Sequence, residues 1–112
     1  MAINRQIIQI YFTIDNREKA EEIANMLVEN RLAACVQISG PIQSIYHWAG
    51  KIEKSTEWKC SIKTTQDLYP EVRNLIKLKH SYEIPEIFSQ EVAEIDPDYE
   101  KWLIKMLKCN LR

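Results

Sequence analysis

From Gln6 to Ile14 the apolar residues Ile8, Ile10 and Phe12 alternate with Gln9 and Tyr11. A two-residue period is that of a strand with one covered face, so a first strand is predicted there. Asp15 followed by Glu18 fits a capping box, in which each side chain accepts a backbone N–H of the first turn. Ala20, Ile23, Ala24, Leu27 and Val28 then recur at helical spacing opposite Lys19, Glu21, Glu22, Asn25 and Glu29, predicting an amphipathic helix that ends near Asn30.

A second strand is predicted over Ala34–Ile38, broken by Gly40-Pro41 and resumed as extended chain from Ile42 to Trp48. Ala49-Gly50 marks a turn, using one of only two glycines. After a polar stretch, Trp58, Cys60 and Ile62 alternate with Glu57, Lys59, Ser61 and Lys63, so the region is expected to be a long bent hairpin with the second set facing solvent. A second helix is predicted from Asp67, with Pro70 in its first turn and Leu68, Val72, Leu75 and Ile76 as its buried stripe. Pro85 enforces an extended entry into a strand over Ile87–Glu94. Asp96-Pro97 reads as N-cap and first helical residue of a third helix, with Tyr99, Trp102, Leu103, Met106 and Leu107 packed along one side.

The order is β-α-β, β-α-β and a terminal helix. Interleaving the two halves predicts an α+β, ferredoxin-like sandwich with helices on one face of the sheet. The other face would show Gln9, Tyr11, Lys59 and Ser61 to water. Three tryptophans are many for a chain of 112 residues, and large rigid aromatics favour an interface.

Composition narrows the possibilities further. The length suits a single domain, residues 1–112, with one core. A net charge of −1 with both signs interspersed offers no basic surplus to nucleic acid or an anionic membrane. No apolar run approaches the ~18 residues of a membrane span, and Met1–Phe12 lacks the apolar core of a signal peptide, so a cytoplasmic location is expected. Cys35, Cys60 and Cys109 are odd in number and widely spaced, and free buried thiols are the expected state.

Polar and aromatic groups gather at predicted element ends: Tyr46, His47 and Trp48, then Lys63, then His80, Tyr82 and Glu86. Lys63 reads either as a solvated or paired lysine or as an anchor for a carboxylate or phosphate. His80 reads as a cation favoured by the helix C-terminus, as a hydrogen-bonding partner of a ligand, or as a weak metal contact assisted by Glu83 and Glu86. Tyr46, Trp48 and Tyr82 suit packing and the wall of a pocket alike, and alternation turns His47 away from its aromatic neighbours. No nucleophile triad, phosphate loop or metal cluster accompanies these residues.

Ser44-Ile45-Tyr46-His47-Trp48-Ala49-Gly50-Lys51, Ile62-Lys63-Thr64 and His80-Ser81-Tyr82-Glu83-Ile84-Pro85-Glu86 together resemble the CutA family of divalent-cation tolerance proteins. Leu32-Ala33-Ala34-Cys35, Tyr99 and Trp102 extend the resemblance over nearly the whole chain, in the family's order. It implies a homotrimer related in fold to the PII signalling proteins, with inter-subunit clefts lined by Tyr46, Trp48, Lys63, His80, Tyr82 and Glu86. It also implies an association with copper and other divalent cations and no catalytic activity. The family's copper ligands, a cysteine and two adjacent histidines, correspond to Phe12, Lys79 and His80 here, and Ser81 replaces the proline that follows. One ligand of three survives.

The expected function is therefore a non-enzymatic trimer that binds a small anionic ligand or an ion. A direct divalent-metal buffer is the alternative. A small hydrolase of acylphosphatase type would need an arginine-bearing phosphate loop after the first strand, where Thr13-Ile14-Asp15-Asn16 is acidic and Arg17 follows.

Overall fold

The structure is a computed structural model describing residues 4–109, so the first three residues of the Met1–Phe12 stretch lie outside it. Its elements run β1 (Ile7–Ile14), α1 (Arg17–Glu29), β2 (Cys35–Trp48), β3 (Lys51–Thr65), a 3-10 turn (Gln66–Leu68), α2 (Tyr69–Lys79), β4 (Ile87–Glu91) and α3 (Pro97–Met106). The four strands form one antiparallel sheet in the order β2-β3-β1-β4. This is the interleaved ferredoxin-like arrangement expected from the element order.

Alternation along β1 decides which face is covered. Ile8, Ile10, Phe12 and Ile14 are fully buried and meet Cys60 and Ile62 of β3. Ala20, Ile23 and Leu27 of α1 and Val72 and Ile76 of α2 close over them, and Leu103 of α3 joins the same cluster. At about 25 cal/mol per Å² of apolar surface, burial of this stripe is the main force holding helices to sheet. Thr64 donates to the Leu32 carbonyl at 2.7 Å, tying the end of β3 to the loop after α1. The uncovered face carries Tyr11 against Phe88 at 5.3 Å, Lys59 over the Tyr11 ring, and Ser61 donating to Gln9.

Several boundaries differ from the sequence reading. The cap of α1 is Asn16, whose side chain accepts from the Lys19 N–H at 2.9 Å. Asp15 instead accepts from the Ser81 hydroxyl, so the capping signal is displaced by one residue into the turn. Gly40-Pro41 does not end β2. Two residues there face one on β3, a bulge that bends the strand while pairing resumes at Ile42↔Glu57. Gly40 has φ +141°, and a Cβ on it would meet Trp58 Cδ1 at 2.9 Å, so both backbone and space demand glycine. The polar stretch after Gly50 belongs to β3, because backbone pairing with β2 needs no apolar side chains.

Asp67 does not cap α2; it lies in the 3-10 turn, with its carboxylate facing the Arg5 guanidinium at 3.7 Å. Strand β4 stops at Glu91, where Val92 donates to Ile7. In α3 only Leu103 is buried. Trp102 and Tyr99 stack on each other at 5.7 Å and remain exposed, which corrects the expected packing of Trp102. Cys60 is buried as expected, Cys35 is half-buried and Cys109 is exposed.

Candidate functional site

Strand β1 pairs with β3 only between Trp58 and Thr65. Beyond Trp58, β2 and β3 pair with each other alone as far as Trp48↔Lys51, forming an arm that leaves the sheet. The described residues extend 46 × 27 × 24 Å because of it. Ala49 and Gly50 turn its tip with φ +51° and +77°. Ile45, Trp48 and Ile52 stand out from the arm at 50–60% exposure.

At the base of the arm the chain from α2 to β4 passes close by. His80 ends α2, its N–H donating to the Ile76 carbonyl at 2.8 Å. Its ring is held at both nitrogens. The Tyr82 N–H can only donate, so Nδ1 accepts it at 2.9 Å, and the Thr13 carbonyl can only accept, so Nε2–H donates to it at 2.6 Å. The imidazole is thereby a neutral brace fixing the Tyr82 backbone against the end of β1. This corrects the reading of His80 as a helix-end cation.

Tyr82 is placed by that brace to donate its phenol proton to Glu57 at 2.7 Å. Ser44 donates to the other carboxylate oxygen at 2.6 Å. Burial pushes the Tyr82 phenol up from its ordinary range, and the hydrogen bond to Glu57 adds to the rise, so the proton stays on the ring oxygen. Arm and turn thus enclose a cleft of about 670 Å³. Its walls are Ser44, Ile45, Tyr46 and Trp48 on one side and residues 82–86 on the other, with Thr13 and Glu57 between them.

Of the six residues singled out from the sequence as ligand contacts, Tyr46, Trp48, Tyr82 and Glu86 line this cleft. His80 stands behind it as a brace. Lys63 lies six residues along β3 from Glu57, about 20 Å at strand rise, and donates to Gln37 at 2.6 Å. The anion anchor expected of Lys63 is therefore not part of the cleft.

The model of the CutA1 divalent ion tolerance protein matches residues 8–106. The chain belongs to the CutA1 family. It is 38% identical over 94 residues to the divalent-cation tolerance protein CutA of Thermus thermophilus, covering 84% of this chain and 91% of that one. It is 40% identical over 93 residues to mouse CutA, covering 83% of this chain. The chain spans about half the length of the mouse and Arabidopsis thaliana relatives, 52% and 53%. The crystal structure of CutA1 from Oryza sativa superimposes with a TM-score of 0.90 at 29% identity, covering 96% of this chain and 98% of the rice one. The family's name refers to divalent ion tolerance and not to a reaction.

The copper ligands that CutA1 membership implies do not fit the residues present. Phe12 is fully buried with its ring edge toward His80 and has no donor atom. Both nitrogens of His80 are already engaged, and the adjoining Lys79 carries a cationic head. Among the described residues no group of three or more His, Cys, Asp or Glu side chains converges for a metal ion. The sequence reading missed Glu57, Ser44 and Thr13. Alternation placed Glu57 toward solvent, and nothing local signals that a tyrosine 25 residues away covers it.

Proposed function

We propose that this protein serves divalent-cation tolerance as a non-catalytic, PII-like homotrimer that binds a small ligand in the cleft between arm and turn. The observation carrying this reading is the cleft itself. Its volume is that of a small-molecule site, and its aromatic wall sits on an arm whose outer apolar residues are left uncovered by the other described residues. A neighbouring copy covering that arm would complete the walls. Regulation is favoured over catalysis because the candidate proton carriers are committed to one another: His80 to Thr13 and Tyr82, and Tyr82 to Glu57.

Sedimentation equilibrium at micromolar concentration tests the assembly, with three chain masses expected. Thermal melts with a defined panel of amines, nucleotides, organic acids and divalent salts test the cleft. A binder is expected to raise the midpoint by mass action, and Tyr46→Ala together with Trp48→Ala should remove that rise. A folded species of one chain mass, or a ligand response indifferent to both substitutions, refutes the proposal.

A further inference from the structure

The cleft's charge points to the chemistry of its occupant, an inference that rests on the ligand-binding reading above. We propose that it takes an organic cation, a small molecule with an ammonium head. Among the described residues of one chain, three carboxylates, Glu57, Glu83 and Glu86, line the cleft, and no lysine, arginine or histidine does. Tyr46, Trp48 and Tyr82 add aromatic faces, whose quadrupoles attract cations, best those that are weakly hydrated.

Glu57 is the decisive residue. It is only 4% exposed, yet it forms no ion pair among the described residues. Each oxygen accepts one hydroxyl and retains a further lone pair. A buried carboxylate without a counter-charge is costly, and hydroxyl donors offset only part of that cost. A cation in the cleft supplies the missing charge. A bare metal ion is disfavoured because the carboxylates do not converge. An anion is disfavoured because Lys63, the ammonium expected to hold it, is bound to Gln37 elsewhere on the sheet.

Calorimetric titration with tetramethylammonium, choline and spermidine tests the idea, with 3,3-dimethyl-1-butanol as the uncharged isostere of choline and phosphate as the anion. At least one ammonium probe is expected to saturate at one per chain. The uncharged isostere should bind at least tenfold more weakly than choline if choline is that probe. Glu57→Gln should weaken the ammonium probe at least tenfold, and so should the paired Glu83→Gln and Glu86→Gln, whose exposed positions spare the fold. Equal binding of choline and its isostere, or binding of phosphate with none of the ammonium probes, overturns the cation inference and leaves the ligand cleft standing. If no probe perturbs the amide resonances of Tyr46, Trp48 and Tyr82, the cation inference is overturned. The thermal-melt panel then decides the cleft reading separately.

Discussion

A carboxylate at 4% exposure, whose hydrogen bonds among the described residues come from two hydroxyls, sets the chemistry around position 57. Its two donors come from different elements, so the charge is held by the fold and not by its own strand. Cys60, three residues further along β3, shows the opposite use of burial. Desolvation pushes its thiol from the ordinary 9.0 up to about 12, keeping it neutral and poorly nucleophilic. Between those values the unfolded thiol has lost its proton and the folded one retains it. Raising the pH therefore favours unfolding there, by about 1.4 kcal/mol per unit. Urea unfolding from pH 8 to 11 is expected to show this loss, and Cys60→Ala should flatten it. The Tyr82 phenol, also raised, acts with the same sign at higher pH.

At the scale of elements, the start of α1 controls more than one helix. Asn16 caps it, which leaves the neighbouring Asp15 carboxylate to hold Ser81 at the beginning of the 80–86 turn. Asn16→Ala is expected to cost about 1 kcal/mol, measured by chemical denaturation. Asp15→Ala should spare the cap and instead loosen the turn, seen as faster amide exchange around Ser81 and Tyr82. Equal destabilisation by both, with no local exchange change, contradicts this division of labour. The bulge at Gly40 is the other controlling element, since it lies beside Glu57 where arm and sheet part.

For the whole molecule the unpaired surface matters most. The radius of gyration is 14.9 Å, against about 13 Å for a compact domain of this length, and the arm accounts for the excess. Apolar side chains along it, together with the Tyr99–Trp102 stack, are exposed in a chain whose core is otherwise closed. A surface of this kind favours association. The double substitution Ile45→Ser and Ile52→Ser is expected to shift sedimentation toward single chains with the far-ultraviolet spectrum unchanged. An unaltered assembly would show that the arm is not a contact.

Element types and order, the buried faces of β1 and α2, that of α1 except Val28, which is exposed, and the α3 cap at Asp96 were legible in the sequence. Each depends on periodicity or on a capping residue within a few positions, and local sterics and solvation decide such features. The aromatic wall was legible too, as a cluster of residue types. The enclosure of Glu57, the engagement of both His80 nitrogens, the absence of Lys63 from the cleft and the exposure of Trp102 were decided only in three dimensions. They rest on contacts between distant positions, Tyr82 with Glu57 25 apart and His80 with Thr13 67 apart, or depend on what no other element covers, and no local pattern encodes either. The charge of the cleft belongs to that second class, because it is set by which side chains the arm and the turn bring face to face.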